Sequence, residues 1–292
     1  MNNSINRYLF AIFRRAISRR LIFRGKPAAQ DGRITLLSVD YRATADAVRL
    51  IRSFRRFVAP DGPVVVVQNG PSADNHLLRK EGAKVVGLRY NLGHGLGLDW
   101  GMRYVQTQYT LICDPDTAII GAKFLEEVLP RVRRYGAAAV DNGCHFYHPI
   151  CLCFETNLWK TRPFSFEHKW YSDPCWDVAG ALTYEILGGL KQGALIPRTR
   201  SAGLPLPSSR AGTVHYYGDV FGDVFTNTYC VSRKVFEPDR QDFDGWSRAE
   251  LDDYHAAWRQ WVAAVTAGTA TVADFPTGVA VHDGASAKST AL

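Results

Sequence analysis

The 292-residue chain has few cysteines, no long apolar run and no acid in its first 30 residues, and each shortage excludes something. Its six cysteines (Cys113, Cys144, Cys151, Cys153, Cys175 and Cys230) include no CxxC pair and are too sparse for a disulfide framework. That usage fits a reducing compartment. No stretch approaches the roughly 18 apolar residues that span a bilayer. The longest near the start, Leu9 to Phe13, is also short for a secretory signal and no small-residue cleavage site follows it. The expected location is the cytoplasm, with membrane association at its cytoplasmic face depending on the first residues. No internal repeat is present.

Residues 1–30 hold seven bases: Arg7, Arg14, Arg15, Arg19, Arg20, Arg24 and Lys26. Setting those aside from the 35 Lys and Arg leaves 28 bases against 28 acids, so the net charge of +7 belongs to the leader. A balanced body lacks the massed basic face of a nucleic-acid groove, and no nucleic-acid partner is expected. Wound as a helix, residues 5–17 place Ile5, Leu9, Ile12, Phe13, Ala16 and Ile17 on one arc with Arg7, Arg14 and Arg15 opposite, until Arg20 and Arg24 break the pattern. Residues 5–24 read as an interfacial helix on anionic lipid, as a leader packed on its own domain, or as an organelle transit peptide.

From residue 33 short apolar runs alternate with helical periods, the mark of βαβ units around a mostly parallel sheet in an α/β fold. Strands are expected at Arg33 to Val39, Pro63 to Val67, Lys84 to Leu88 and Thr110 to Cys113, with helices at Thr44 to Phe57 and Leu98 to Gln106. A helix at Ala122 to Arg134, strands near Ala137 to Asp141 and Ile150 to Phe154, an aromatic loop from Phe164 to Trp176 and a helix from Val178 to Leu187 follow. Residues 198–214 have loop composition and suggest a mobile lid, and a last helix covers Ser247 to Val265 before a small-residue tail.

Ligands of open α/β sheets sit beyond the carboxyl ends of the strands. Four features fall there: Asp40-Tyr41, the turn Gln68-Asn69-Gly70, the glycine loop Asn91 to Gly97, and Asp114-Pro115-Asp116. Two carboxylates two residues apart at the end of a buried strand suit a hard cation, Mg2+ or Mn2+, meeting a diphosphate; the plainer reading is a turn. The glycine loop is not a dinucleotide fingerprint. GxGxxG from Gly93 or Gly95 would need glycine where Leu98 and Trp100 stand, and the loop follows the third strand instead of the first.

These residues, Leu36 to Tyr41, Val66 to Asp74, Asn91 to Gly101 and Leu111 to Thr117, resemble glycosyltransferase family 2, of GT-A fold. They are also similar to its rhamnosyltransferase-like branch, where Asn-Pro-Asp-Thr often stands at the metal motif. The resemblance implies a GT-A-type Rossmann-like domain over 31–236, and composition flanks it with a basic amphipathic segment at 1–30 and a helical extension ending in a disordered tail at 237–292. It implies that Asp40, Tyr41, Gln68 and Asn69 hold the nucleobase of a UDP- or dTDP-sugar, that Asn91, Gly93 and Asp99 complete the donor side, and that Asp114 and Asp116 hold the cation. Gln68 stands where the family usually has Asp, and Asp99 where it usually has Asn.

The resemblance further places the general base at Asp177, before a helix that reaches Gly188, with Asp173 as the neighbouring alternative; N-capping is the plainer role of Asp177. It places a third metal ligand at His215, for which a structural histidine is the competing reading. Arg198, Arg200 and Arg210 have the sign to pair with a diphosphate or to be solvated loop charges. The acceptor is a hydroxyl, lipid-linked in one reading, and Trp170, Tyr171 and Trp176 form either its platform or core. Cys144, His145, His148, Cys151 and Cys153 invite zinc, but no CxxC anchors them and Ile150 to Phe154 reads as a buried strand. The competing functions are a nucleotidyltransferase, for which Tyr41-Arg42-Ala43-Thr44 lacks a glycine-rich basic loop, and a non-catalytic sugar-, nucleotide- or lipid-binding module.

Overall fold

The alternation of side chains along the first strand decides how the molecule is layered. In the computed structural model, which describes residues 26–162, 164–167, 178–201, 219–228, 242–243, 246–275 and 279–280, all seven residues of β1 (Ile34–Asp40) are buried. Leu36 points to one core and Leu37 to another. The first core gathers α1 (Thr44–Phe57) through Ala47, Leu50, Ile51 and Phe54, a spacing of i, i+3, i+4, i+7, and α4 (Phe124–Tyr135) through Val128 and Val132. The second gathers α3 (His94–Met102) and α5 (Thr156–Thr161) through Leu98, Met102 and Trp159. Each fully buried large apolar side chain contributes about 1.5–3 kcal/mol.

The main sheet has seven strands in the order β3-β2-β1-β4-β7-β6-β8. These are β2 (Val64–Asn69), β3 (Lys84–Leu88), β4 (Tyr109–Cys113), β6 (Ala137–Val140), β7 (Cys151–Glu155) and β8 (Leu195–Ile196) around β1. Only β7 runs against the others. With helices on both faces this is the expected GT-A-type Rossmann-like α/β fold. The chain order turns back between β1 and β4, a topological switch point with β1 in the middle.

A second, antiparallel sheet was not expected. Its order is β14-β9-β10-β11-β5, built from β5 (Thr117–Ile119), β9 (Arg198–Ser201), β10 (Asp219–Phe221), β11 (Phe225–Asn227) and β14 (Val279–Ala280). Asp114 to Asp116 is therefore the joint where the chain leaves the main sheet and enters the second. Residues 198–201 form a strand instead of starting a loop; residues 202–218 lie outside the described residues. A short β12–β13 pair, β12 (Asp242–Phe243) with β13 (Trp246–Ser247), leads into α6 (Arg248–Ala267). Trp258, Trp261, Val262 and Val265 of that helix pack with Ala118, Ile120 and Val220.

Two other readings shift. The helix expected from Leu98 begins four residues earlier at His94, because glycine there serves packing and not chain reversal: a Cβ at Gly97 or Gly101 would lie 2.8 Å from Val39 Cγ1 or 2.4 Å from Leu37 Cδ1. Between Val178 and Leu187 the chain makes a π-helical turn, Leu182–Ile186, and not a regular helix. Remaining elements are α2 (Asn75–Lys80) and short 3-10 turns. No helix among the described residues is long and apolar enough to cross a membrane.

Candidate functional site

Because β1 lies between β2 and β4, Asp40 ends beside Gln68 on one side and the Asp114 strand on the other. Asp40 turns inward. Its carboxylate accepts from the Ala43 amide at 2.8 Å and the Thr44 hydroxyl at 2.6 Å, fixing the entry to α1. Burial raises its pKa above the ordinary 3.8, against the lowering effect of those two donors. A carboxyl that holds its proton more tightly folded than unfolded contributes stability below about pH 4 that is lost as pH rises through the folded value. Asp40→Asn should therefore compare more favourably with wild type at pH 7 than at pH 4. Thermal melts across that range check this, and a Tm difference that does not change with pH contradicts it.

Gln68 is 1% exposed, and its amide nitrogen donates to the Asp40 carbonyl at 3.3 Å. Its carbonyl oxygen Oε1 is buried with no partner. A buried acceptor left this way is costly unless a ligand donor reaches it. Asn69 and Asn91 hold the loops instead of facing outward. Asn69 Nδ2 donates to Asn91 Oδ1 at 2.8 Å and to the Gly93 carbonyl at 3.1 Å, while its Oδ1 accepts from Leu92 at 2.8 Å. Asn91 Oδ1 also accepts from the Gly93 amide at 2.9 Å. Tyr41 stands 3.5 Å from where a Cβ on Gly70 would be, with the Arg42 guanidinium 5.3 Å from its ring centroid. Arg42 itself adopts φ 58°, a left-handed conformation rare for a residue with a Cβ and found at functional turns.

At the joint, Asp114 Oδ1 lies 3.4 Å from His94 Nε2, a residue that motif reading did not single out. Asp116 is 8% exposed; its carbonyl accepts from the Thr228 amide at 3.0 Å and its Oδ1 lies 3.4 Å from Asn227 Nδ2. Asn227 reaches it because β11 pairs with β5, placing Asn227 opposite Thr117. β11 itself is the second strand of a hairpin with β10, signalled by Gly222-Asp223 between Val220-Phe221 and Val224-Phe225, both turn residues having positive φ. Carboxylates are the ligand type that Mg2+ and Mn2+ take, so Asp114 and Asp116 are the residues that would hold such an ion. Among the described residues no group of three or more His, Cys, Asp and Glu assembles as a metal site, either at this joint or at the Cys144 to Cys153 stretch. There Cys113 faces Cys151 across β4 and β7, and burial pushes the Cys113 thiol up.

Three expected site residues have protein partners. Asp99 is 2% exposed and faces the interior, accepting from Trp159 and from the segment at Ser165 and Phe166. Arg198 lies on β9 with Nε 3.5 Å from the buried Asp219, and Arg200 has its Nε 3.6 Å from Asp223. Asp219 on β10 and Asp223 in the turn after it lie beside these guanidinium groups. Asp173, Asp177, Arg210, His215 and residues 5–24 lie outside the described residues. Beside the rim, α6 braces the joint: Arg259 pairs bidentately with Asp46 at 2.9 and 2.8 Å, and Trp258 donates to Thr226 at 3.1 Å.

No protein-family model and no curated protein sequence matches the chain. Among solved structures, S. aureus TarS residues 1–349 aligns over 46% of this chain and 50% of that one, with 17% identity and a TM-score of 0.38. The mannosyltransferase PcManGT from Pyrobaculum calidifontis, in complex with GDP-Man and Mn2+, aligns over 51% and 52% with 14% identity and a TM-score of 0.38. A cytidylyltransferase from Leptospira borgpetersenii aligns over 44% and 61% with 13% identity and a TM-score of 0.32. The aligned parts span about half of the TarS fragment and of the mannosyltransferase, and similarity at this level assigns no activity or ligand.

Proposed function

We propose that the protein is an inverting glycosyltransferase that moves a hexosyl or deoxyhexosyl group from a UDP- or dTDP-sugar to a hydroxyl acceptor. The observation that carries the reading is the buried, unpartnered Gln68 carbonyl at the switch-point rim, next to the strand that ends in Asp114 and Asp116. A pyrimidine N3–H is a donor of the kind that oxygen lacks. Asp114 and Asp116 would hold Mg2+ or Mn2+, whose chemistry is to neutralise the charge of a departing diphosphate. In the reaction the acceptor oxygen forms a bond to the anomeric carbon from the face opposite the leaving phosphate oxygen. The bond to that oxygen breaks with its electron pair, and Asp177, or Asp173 in its place, takes the acceptor proton.

The test is release of nucleoside diphosphate from UDP-glucose, dTDP-glucose and GDP-mannose with Mn2+ or EDTA. Release from a uridine or thymidine donor, abolished by EDTA, is expected; release from none of them, or equal release without metal, contradicts the reading. Gln68→Met, which keeps length and removes both polar atoms, should weaken UDP binding about tenfold, the worth of one hydrogen bond. Titration calorimetry with Mn2+ checks this, and unchanged affinity removes Gln68 from the base pocket.

The leader we assign to location, as a peripheral contact with the cytoplasmic face of a membrane beside a lipid-linked acceptor. Its seven bases and apolar arc support the reading. Deleting residues 1–24 should weaken sedimentation with anionic liposomes and leave donor hydrolysis unchanged. A loss of hydrolysis would make the leader part of the fold.

A further inference from the structure

A polar cavity of about 460 Å3 opens beside the rim, a size within the range of small-molecule sites. Its walls are the start of α1 with the residue before it, the turn after β2, and one face of α6. The charged residues that line it are Arg42, Asp46, Asp74, Arg248, Asp252 and Arg259. Tyr41, Gln68 and Asn69, the residues assigned to the nucleobase, are not among its walls.

Four of the six charges are fixed by the protein. Asp46 is held by Arg49 and, at 2.9 and 2.8 Å, by Arg259, while Arg248 and Asp252 stand one turn apart on α6. Arg42 and Asp74 differ. Asp74 stands at the N-cap of α2 without a side-chain cap bond, and the Arg42 guanidinium lies over the Tyr41 ring. Among the described residues neither of these two side chains has an ion pair or a hydrogen bond. Water serves both, so a ligand that displaces it must bring an acceptor for Arg42 and a donor for Asp74.

The lining also decides what is refused. With three acids against three bases the cavity has no net charge, so an anion would meet carboxylates as often as guanidinium groups. Among the described lining residues the apolar side chains are only Ala43 and Ala45, too little for a lipid tail. An uncharged ring with several hydroxyls, each both donor and acceptor, satisfies both unpaired groups. Its place in the fold points the same way. Arg248, Asp252 and Arg259 share a face of α6, and from the adjacent face Trp258 donates to Thr226 at 3.1 Å and His255 Nε2 lies 3.3 Å from the Thr228 carbonyl. The Thr228 amide bonds Asp116, so one helix walls the cavity and braces the joint that carries Asp116.

We propose that this cavity is a saccharide site and takes the sugar end of the acceptor, held between Arg42 on one wall and Asp74 on another. The acceptor role rests on the function proposed for the rim; the saccharide site does not.

The experiment is solution NMR of the full-length protein with the methyl glycosides of glucose, galactose, mannose and rhamnose at millimolar concentration. At least one glycoside is expected to shift the amide signals of Ala45, Asp74 and Arg259, and to do so equally with saturating UDP and Mn2+ present. Two variants locate it. Arg42→Gly, which removes the guanidinium and suits the φ of 58° there, and Asp74→Ala should each weaken that binding about tenfold, the worth of one hydrogen bond. Both side chains are exposed, so melting temperatures near wild type are expected. Binding of no glycoside, its displacement by UDP, or unchanged affinity in both variants would overturn the proposal. Inorganic phosphate shifting the same amides, more weakly in Arg42→Gly and more strongly in Asp74→Ala, would make the cavity an anion site and overturn it as well. If a glycoside binds here and UDP with Mn2+ does not bind at all, the functional reading falls while the saccharide site stands.

Discussion

Asp116→Asn should remove Mn2+-dependent nucleotide binding and lower turnover about a thousandfold, roughly 4 kcal/mol of transition-state stabilisation. The substitution keeps the size of the side chain and the carbonyl that accepts from Thr228, so the joint between the sheets should persist. What it removes is charge. A neutral amide cannot draw a divalent cation to a diphosphate, and the leaving group then departs with its charge uncompensated. Melting temperature and circular dichroism near wild type, with no calorimetric response to UDP plus Mn2+, is the expected pair of results. Retained binding would place the cation elsewhere or dispense with it.

Asp177→Asn should behave in the opposite way, leaving UDP and Mn2+ affinity within about twofold while turnover falls about a hundred- to ten-thousandfold, the range for loss of a general base. A base acts on the acceptor proton as the new bond forms, so its removal is felt in kcat and hardly in the binding of a donor fragment. If the loss appears instead in Asp173→Asn, the base is four residues earlier in the sequence and the mechanism stands. If both variants turn over at the wild-type rate, proton removal by this segment is wrong. The contrast between Asp116 and Asp177 also separates catalysis from a binding module, in which neither variant would change turnover.

The main sheet was legible because its signals are long. Continuous valines at 64–67 and the Ala47, Leu50, Ile51, Phe54 period give β2 and α1 within one or two residues of their observed ends. The second sheet was not legible, because strands of two to four residues carry no period and are recruited from places as far apart as 117–119, 198–201 and 279–280. The rim followed from the rule that α/β ligands sit at strand ends, and the motifs at 40, 68, 91 and 114 do fall there. What each side chain bonds was hidden. Asn69 meets Asn91 across 22 residues and Asp99 meets Phe166 across 67, distances over which spacing says nothing. The resemblance put Asp99 on the donor side; its carboxylate accepts from Trp159, Ser165 and Phe166, partners 60 to 67 residues away.

Calorimetric titration of the full-length protein with UDP, dTDP and GDP, each with and without Mn2+, tests the proposed donor site most directly. Saturable binding of UDP or dTDP that requires Mn2+ and is lost in Asp116→Asn is the predicted result. No binding by any of the three nucleotides, or binding indifferent to the metal and to Asp116, would contradict it.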